Sequence, residues 1–372
     1  MFRHTIPVGR VFGIEIDLDY SWFLIFGLLT WILAVSYYPA EFKNWSPAGY
    51  WFMGALTAIL LFVSVLLHEL GHSVVAKRLG IPVPRITLFI FGGVSQIATE
   101  PADPSKEFWM AAAGPAVSLV LAAIFWELRL ILAGSPALLA LTKYMALLNL
   151  ILAVFNLIPG FPLDGGRVFR AIVWKASHNF QRATAVATFT GRFFGFSLIF
   201  IGVWMALAGD LLNGLWTAFI GWFLESAAAS QLQQEIVKNS LAGHRVSEMM
   251  SRDCTRVPSD LMLDDLVDKY MLAGGHRCFV VTRGDQTIGL ITLSEIAKVP
   301  RSSWPSTKIA DVMVPSEKLV LTPANAEAWT TVENMARNGV SQTPVAEDGK
   351  IIGVLSRDDL VHYLGVVRSL HA

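Results

Sequence analysis

Leu61 to Leu79 reads LFVSVLLHELGHSVVAKRL, with two histidines and a glutamate near the end of a run apolar enough to cross a bilayer. His68 and His72 are four residues apart, so on a helix both imidazoles leave the same face and can share a Zn²⁺. Glu69 stands beside them, placed to take a proton from metal-bound water. A pattern that fixes three positions in five also arises by chance in soluble chains. At bilayer depth that reading weakens, because each ionisable group there costs roughly 2.5 kcal/mol or more on insertion scales. Three such groups in five residues call for a purpose.

The surroundings support the membrane context. Of 372 residues, 54% are hydrophobic and 16% charged, too apolar for one soluble globule and too charged to lie in lipid throughout. Lys plus Arg equals Asp plus Glu at 29 each, so net charge gives no reason to expect a nucleic-acid partner. Cys254 and Cys278, the two cysteines, both fall in the polar C-terminal part. They fit a reduced compartment and exclude a thiolate zinc cluster or a disulfide framework.

Met1 to Tyr20 lacks the basic, apolar and small-residue layout of a cleaved signal, and its alternation at Phe12, Ile14, Ile16 and Leu18 predicts a short strand on the membrane surface. Spans are expected at Ser21 to Tyr38 and Tyr50 to Ala76, joined by a polar loop with Lys43 and Asn44. Pro84 to Ile97, PRITLFIFGGVSQI, is β-branched, aromatic and too short for a spanning helix. It reads as a hairpin or re-entrant strand turning at Gly92 and Gly93, which offers an extended peptide an edge to pair with. The competing reading is a surface loop with an apolar face. Further spans are expected at Phe108 to Ala133, with small residues Ala111 to Gly114 and Ser118 suited to close packing, and at Ala137 to Ile158, Phe193 to Leu207 and Leu211 to Leu224.

In this six-span arrangement Arg3, Arg10, Lys77, Arg78, Arg85, Lys106, Arg167, Arg170, Lys175, Arg182 and Arg192 face one side, against Lys43, Arg129 and Lys143 on the other. That bias puts both termini in the cytoplasm of a multi-pass protein of the plasma (inner) membrane. The second and fourth spans then both run inward, bringing His68 and His72 to the depth of NLIPGFPLDGGR, Asn156 to Arg167. Prolines and glycines must break the helix there. Zinc held by two histidines needs a further protein ligand, and Asp164 is the best candidate. Asp164 could instead cap the next helix. Asn156 could hydrogen-bond substrate or a developing oxyanion, or only satisfy the broken helix.

At these residues the chain resembles the site-2 protease family of intramembrane zinc metalloproteases: HELGH matches the family's HExxH and NLIPGFPLDGGR its NxxPxxPxDG signature. The resemblance covers roughly residues 1–230. It implies that His68, His72 and Asp164 bind one Zn²⁺, that Glu69 activates water, and that the hairpin around Gly92 and Gly93 lies in the membrane and holds a transmembrane protein substrate extended.

Beyond a helical exit and linker, 231–244, an internal repeat begins. VSEMMSRD (Val246 to Asp253) aligns with IADVMVPS (Ile309 to Ser316), and Arg277 to Ile296 with Gln342 to Leu360, at a steady offset of 63 to 65 residues. Each copy reads as helix, strand, turn, strand and helix. The pair resembles tandem cystathionine-β-synthase (CBS) domains at 245–300 and 308–367. The fold expected is therefore a polytopic α-helical membrane domain of six spans with a membrane-embedded β-hairpin, followed by an α/β tandem CBS module. In that family a T/S-x-x-D pattern contacts adenosyl nucleotides, here Thr292 with Glu295 and Ser356 with Asp359, which implies AMP or ATP as ligand. Both are also ordinary capping boxes. The first copy departs from the pattern, with Glu295 for Asp and Phe279 where the second has Pro344. A homodimer through the CBS pair follows by resemblance alone, and membrane lipid is the remaining partner. The leading expectation is an intramembrane protease responsive to adenine nucleotide. A CBS-regulated transporter or channel, with the His68 and Asp164 cluster as ion path, and a non-catalytic scaffold are the alternatives.

Overall fold

The computed structural model describes all residues except 1–4, 44, 91, 98–100, 102, 253, 275–277, 285, 348–349 and 372. Arg3 and Asn44, and the repeat ends Asp253 and Arg277, therefore lie outside the described residues. The chain divides into two compact units, Met1–Gln233 and Gln234–Ala372.

The first unit opens on two antiparallel strands, β1 (Thr5–Val11) and β2 (Ile14–Asp19), followed by α1 (Tyr20–Glu41), whose first turn is capped by Asp19 accepting from the Ser21 amide. α2 (Pro47–Arg78) starts with proline at a position needing no amide donor, and the Ser46 hydroxyl accepts from Gly49. β3 (Arg85–Phe89) pairs in parallel with β2 and antiparallel with β4 (Gly92–Ser95), giving the sheet order β1-β2-β3-β4. Gly92 and Gly93 pair with Phe89 and Leu88, so they belong to β4 and not to the turn expected there. Gly92 needs to be glycine because its φ is +127°. The N-terminal strand is thus one side of a sheet whose other edge is β4. Arg85 fastens β3 to β2 through Glu15 (3.1 Å) and Asp17 (3.0 Å), and with Arg10 it holds the Glu15 carboxyl below the ordinary carboxylate range.

Four more helices complete the bundle: α3 (Pro104–Ile131), α4 (Pro136–Asn156), α5 (Asp164–Ser177) and α6 (Phe180–Leu207); α7 (Leu211–Leu241) leads out of it. Asp103 and Asn179 cap α3 and α6 by accepting from Lys106 and Arg182, while His178 ends α5 in the left-handed region. Among the described residues five helices are long and apolar enough to cross a membrane: α1, α2, α3, α4 and α6. The protein is membrane-embedded. α6 starts at Phe180, well before the Phe193 expected, because Asn179 supplies the cap. Glycines line its contact with α7: a Cβ on Gly202 would lie 2.3 Å from Ala218 N, and one on Gly214 2.4 Å from Ala206 N.

Among its described residues the second unit carries two small sheets. One runs β5 (Cys254–Pro258), β6 (Cys278–Arg283), β7 (Gln286–Ile291) and β8 (Val314–Pro315) in spatial order; the other, β9 (Thr322–Pro323), β10 (Gln342–Glu347) and β11 (Lys350–Ser356), lies in the order β11-β10-β9. The repeats exchange their opening segments. Val314, from the start of the second copy, pairs with Leu290 in β7, and Ser251, from the start of the first, bridges to Val354 in β11. The cores follow the same exchange, since Val246, Met249 and Met250 pack with Val345 and Leu355, whereas Ile309 packs with Phe279 and Ile291. Gly289 and Gly353 make the close approaches possible: a Cβ on either would meet the incoming backbone oxygen, of Val314 or Ser251, at 2.5 Å.

One reading of the cysteines is corrected. Cys254 takes part in a disulfide, so the chain does not carry two reduced thiols. The parallel register of β5 and β6 sets residue 254 beside residue 278.

Gly353→Val should destabilise the second unit by about 1–3 kcal/mol, the usual range for overpacking a tight site. The check is thermal unfolding of the full chain in detergent, in which the transition of the second unit should fall and that of the membrane unit stay in place.

Candidate active site

α2 delivers HELGH to the middle of the bundle. His68 and His72 are buried, one turn apart, with ring centroids 4.9 Å from one another. Across from them, the broken segment after α4 turns the chain so that Asp164 becomes the first residue of α5. Leu163 occupies the capping position and the Asp164 side chain makes no capping bond, so the capping alternative for Asp164 does not hold. The glycines after it are there for space: a Cβ on Gly165 would sit 2.4 Å from the Leu157 and Ile158 carbonyl oxygens, and one on Gly166 2.4 Å from the Gly160 carbonyl carbon. The first turn of α5 can therefore lie directly on the broken segment.

The result is a triangle of ligand atoms. Asp164 Oδ2 is 3.0 Å from His68 Nε2 and 3.1 Å from His72 Nε2, and the two Nε2 atoms are 3.2 Å apart. A tetrahedral zinc ion with bonds of about 2.0–2.1 Å sets its donor atoms about 3.3 Å apart, so the triangle fits. Ring orientation points the same way. His72 Nδ1 lies 2.7 Å from the Met110 carbonyl, which can only accept, so Nδ1 carries a hydrogen and Nε2 is the ring atom turned to the centre. His68 Nδ1 is held at 2.8 Å from Ser118 Oγ, a hydroxyl that can donate or accept.

Both outer partners come from α3, as does the space for the rings. A Cβ on Gly114 would lie 2.0 Å from His72 Nε2 and 2.7 Å from His68 Nε2, where no side chain can fit. The approach is reciprocal: Gly71, inside HELGH, faces Ala113 and Val117, and a Cβ there would meet the Ala113 carbonyl oxygen at 3.0 Å. From the sequence, Gly114 and Ser118 read only as small packing residues, and nothing there singles out Met110. The 110, 114, 118 spacing on one helical face was the available signal.

Glu69 lies between this centre and the sheet edge. Its Oε2 accepts from Ser95 Oγ at 2.7 Å, and Ser95 in turn accepts from Ser73 at 3.1 Å. Gly93 packs flat on the same side chain, since a Cβ there would meet Glu69 Cγ at 2.4 Å. Asn156 is not part of the triangle. As the last residue of α4 it donates from Nδ2 to its own helix at Leu152 (3.0 Å).

In the second unit both nucleotide candidates form local boxes. Thr292 donates to Glu295, while Asp359 Oδ2 accepts from the Ser356 amide (2.8 Å) and hydroxyl (2.6 Å).

Two histidines and a carboxylate on separate helices of a membrane bundle, with a glutamate beside them, define a membrane-embedded metalloprotease of the zinc class. Residues 56–143 and 131–198 match peptidase family M50, and residues 246–302 and 309–366 match the CBS domain. A Mycobacterium tuberculosis protein named zinc metalloprotease Rip3 is 34% identical over 371 residues, covering 98% of this chain and 94% of its own. A Synechocystis protein, named zinc metalloprotease sll0528, is 34% identical over 97% of this chain and 96% of its own. Among solved structures, the site-2 protease from Methanocaldococcus jannaschii is 30% identical, covers 62% of this chain and 95% of its own, and has a TM-score of 0.42. The chain belongs to peptidase family M50, the site-2 proteases, and is a zinc-dependent metalloprotease carrying a tandem CBS module. Family membership displaces the transporter and scaffold alternatives.

Gly114→Ala should abolish stoichiometric zinc retention while leaving the helical content unchanged. Metal analysis of purified protein beside circular dichroism checks both halves.

Proposed function

We propose that the chain cleaves transmembrane proteins within the bilayer, with His68, His72 and Asp164 as zinc ligands and Glu69 as general base. The observation that carries this reading is the triangle of acceptor atoms with edges of 3.0–3.2 Å, each imidazole held from behind at Nδ1. Zinc, when bound, supplies a Lewis acid for the scissile carbonyl and lowers the pKa of its water towards ~7. Glu69 takes the proton of the attacking water and returns it to the leaving amine. Ser95 and Gly93 hold that carboxylate against β4, so a peptide lying along β4 passes directly over the base.

β4 is an edge strand, and an extended substrate adds to it through backbone hydrogen bonds. In this reading β3 and β4 form a membrane-embedded hairpin, with Gly92 and Gly93 lining the substrate and Asn156 turning its amide to the substrate backbone once released from Leu152. A transmembrane helix hides its peptide bonds, so the favoured substrates carry Gly, Pro or Asn near the cut. α7 serves as the sixth span, which its glycine contact with α6 supports, and both termini are cytoplasmic by the distribution of Lys and Arg. Residues 1–230 then form the protease domain, 231–244 the linker and 245–367 the CBS pair. That pair binds adenine nucleotide through Thr292, Glu295, Ser356 and Asp359, modulates cleavage and dimerises.

Glu69→Gln is expected to retain zinc and to lose cleavage of a single-span substrate in detergent by at least a hundredfold, and a chelator should silence the wild type. Turnover surviving in the variant would remove the base assignment. For the regulatory part, Asp359→Ala should weaken AMP or ATP binding in isothermal titration by tenfold or more. Unchanged affinity would leave Asp359 as a capping residue only.

A further inference from the structure

Arg170 and Glu107 form the most deeply buried ion pair among the described residues, at 2% and 0% side-chain exposure. Glu107 sits in the first turn of α3 and Arg170 two turns into α5. Arg170 donates from Nε to Glu107 Oε1 at 2.8 Å, and its Nη2 donates to the same oxygen. Nη1 reaches Thr184 Oγ1 on α6 at 3.4 Å, and the guanidinium stands over the rings of Phe161 (5.0 Å) and Phe180 (4.6 Å). Arg167 adds a second cation 3.9 Å from the same carboxylate oxygen.

Such a pair is a poor device for stability. Removing two charges from water costs several kcal/mol per ion, and apolar side chains of similar volume serve as well or better. What a forked, buried pair supplies is a fixed register between the elements it joins. Here those elements are α3 and α5. Arg170 lies six residues beyond Asp164 on the same helix, about 9 Å along its axis. Phe161, under the guanidinium, lies three residues before Asp164, so the one side chain braces the chain on both sides of the carboxylate. Glu107 is one turn before Met110, whose carbonyl orients His72, and α3 continues through Gly114 to Ser118, which orients His68.

We infer that Arg170 and Glu107 are positioning residues for the zinc site, setting the Asp164 carboxylate against the two imidazoles from the helix that already orients both rings. Neither touches the reacting atoms. α3 thereby governs all three ligands: two through the back of the ring, the third through the pair.

The inference rests on the zinc reading above, and the test separates the two. Zinc affinity of the full chain in detergent is measured by competition with a chromogenic chelator for wild type, Arg170→Lys, Asp164→Asn and the double variant. Arg170→Lys keeps the charge but loses the fork, and should weaken zinc binding roughly 10- to 100-fold, the range seen when a ligand's outer partner is lost. In the Asp164→Asn background the same change should cost less than threefold, because the carboxylate it positions is gone. An equal loss in both backgrounds makes the pair a general structural element and overturns the inference, as does no loss in either. A wild type that holds no zinc overturns the zinc reading itself. Should Arg170→Lys not fold, as judged by circular dichroism, Glu107→Met with Arg170→Met replaces it, and zinc affinity equal to wild type in that variant overturns the inference as well.

Discussion

Two ring nitrogens and a carboxylate oxygen drawn to within 3.0–3.2 Å of one another inside an apolar bundle need a shared cation, metal or proton, between them, and this constraint organises the membrane unit. The imidazoles are held from behind by groups that do not permit them to turn away, and the carboxylate is carried on a different helix. A solvated cluster of this kind would relax by rotating side chains into water. Buried, it has no such exit, so the packing of α2, α3 and α5 must be compatible with a metal before one arrives.

α3 meets that requirement with small residues and backbone more than with polar side chains. Gly114 removes the Cβ that would occupy the place of the rings, and the Met110 carbonyl supplies an acceptor at no cost in side-chain entropy. Placement by helices is tighter than by loops, and the loop between α4 and α5 is closely packed, with Gly160 against Gly191 and the first turn of α5 laid on it at Gly165 and Gly166. On the opposite flank, the sheet brings Ser95 and Gly93 onto Glu69, so that carboxylate is tied to β4.

What the sequence made legible follows from this division. HELGH announces its own geometry, because helical spacing alone sets His68 and His72 on one face, and the broken segment before Asp164 stands out through its prolines and glycines. The contributions of α3 were not legible. Every residue has a carbonyl, so nothing marks Met110; Gly114 and Ser118 look like any small residue at a helix crossing; and Glu107 and Arg170 lie 63 residues apart with no pattern linking them. The strand at Ile14 was readable by alternation, but its pairing in parallel with β3 was not, since parallel partners share no turn. Gly92 and Gly93 misled in a specific way. A glycine pair signals a turn, yet here the freedom it gives is used within β4, to admit the Glu69 side chain and a φ of +127°.

The second unit reaches tight coupling by a different route. Its repeat was visible as a constant offset, but an offset shows only that two segments are alike, not which one each folds against. Because Ser251 joins β11 and Val314 joins β7, each copy's core is completed by residues from the start of the other. Neither copy buries its apolar face alone. Asp359 is already committed to the Ser356 amide and hydroxyl. The helix that starts at this box packs through Leu360 on Met249 and Met250, which belong to the first copy. The box of the second copy and the segment that follows α7 therefore rest on one shared core.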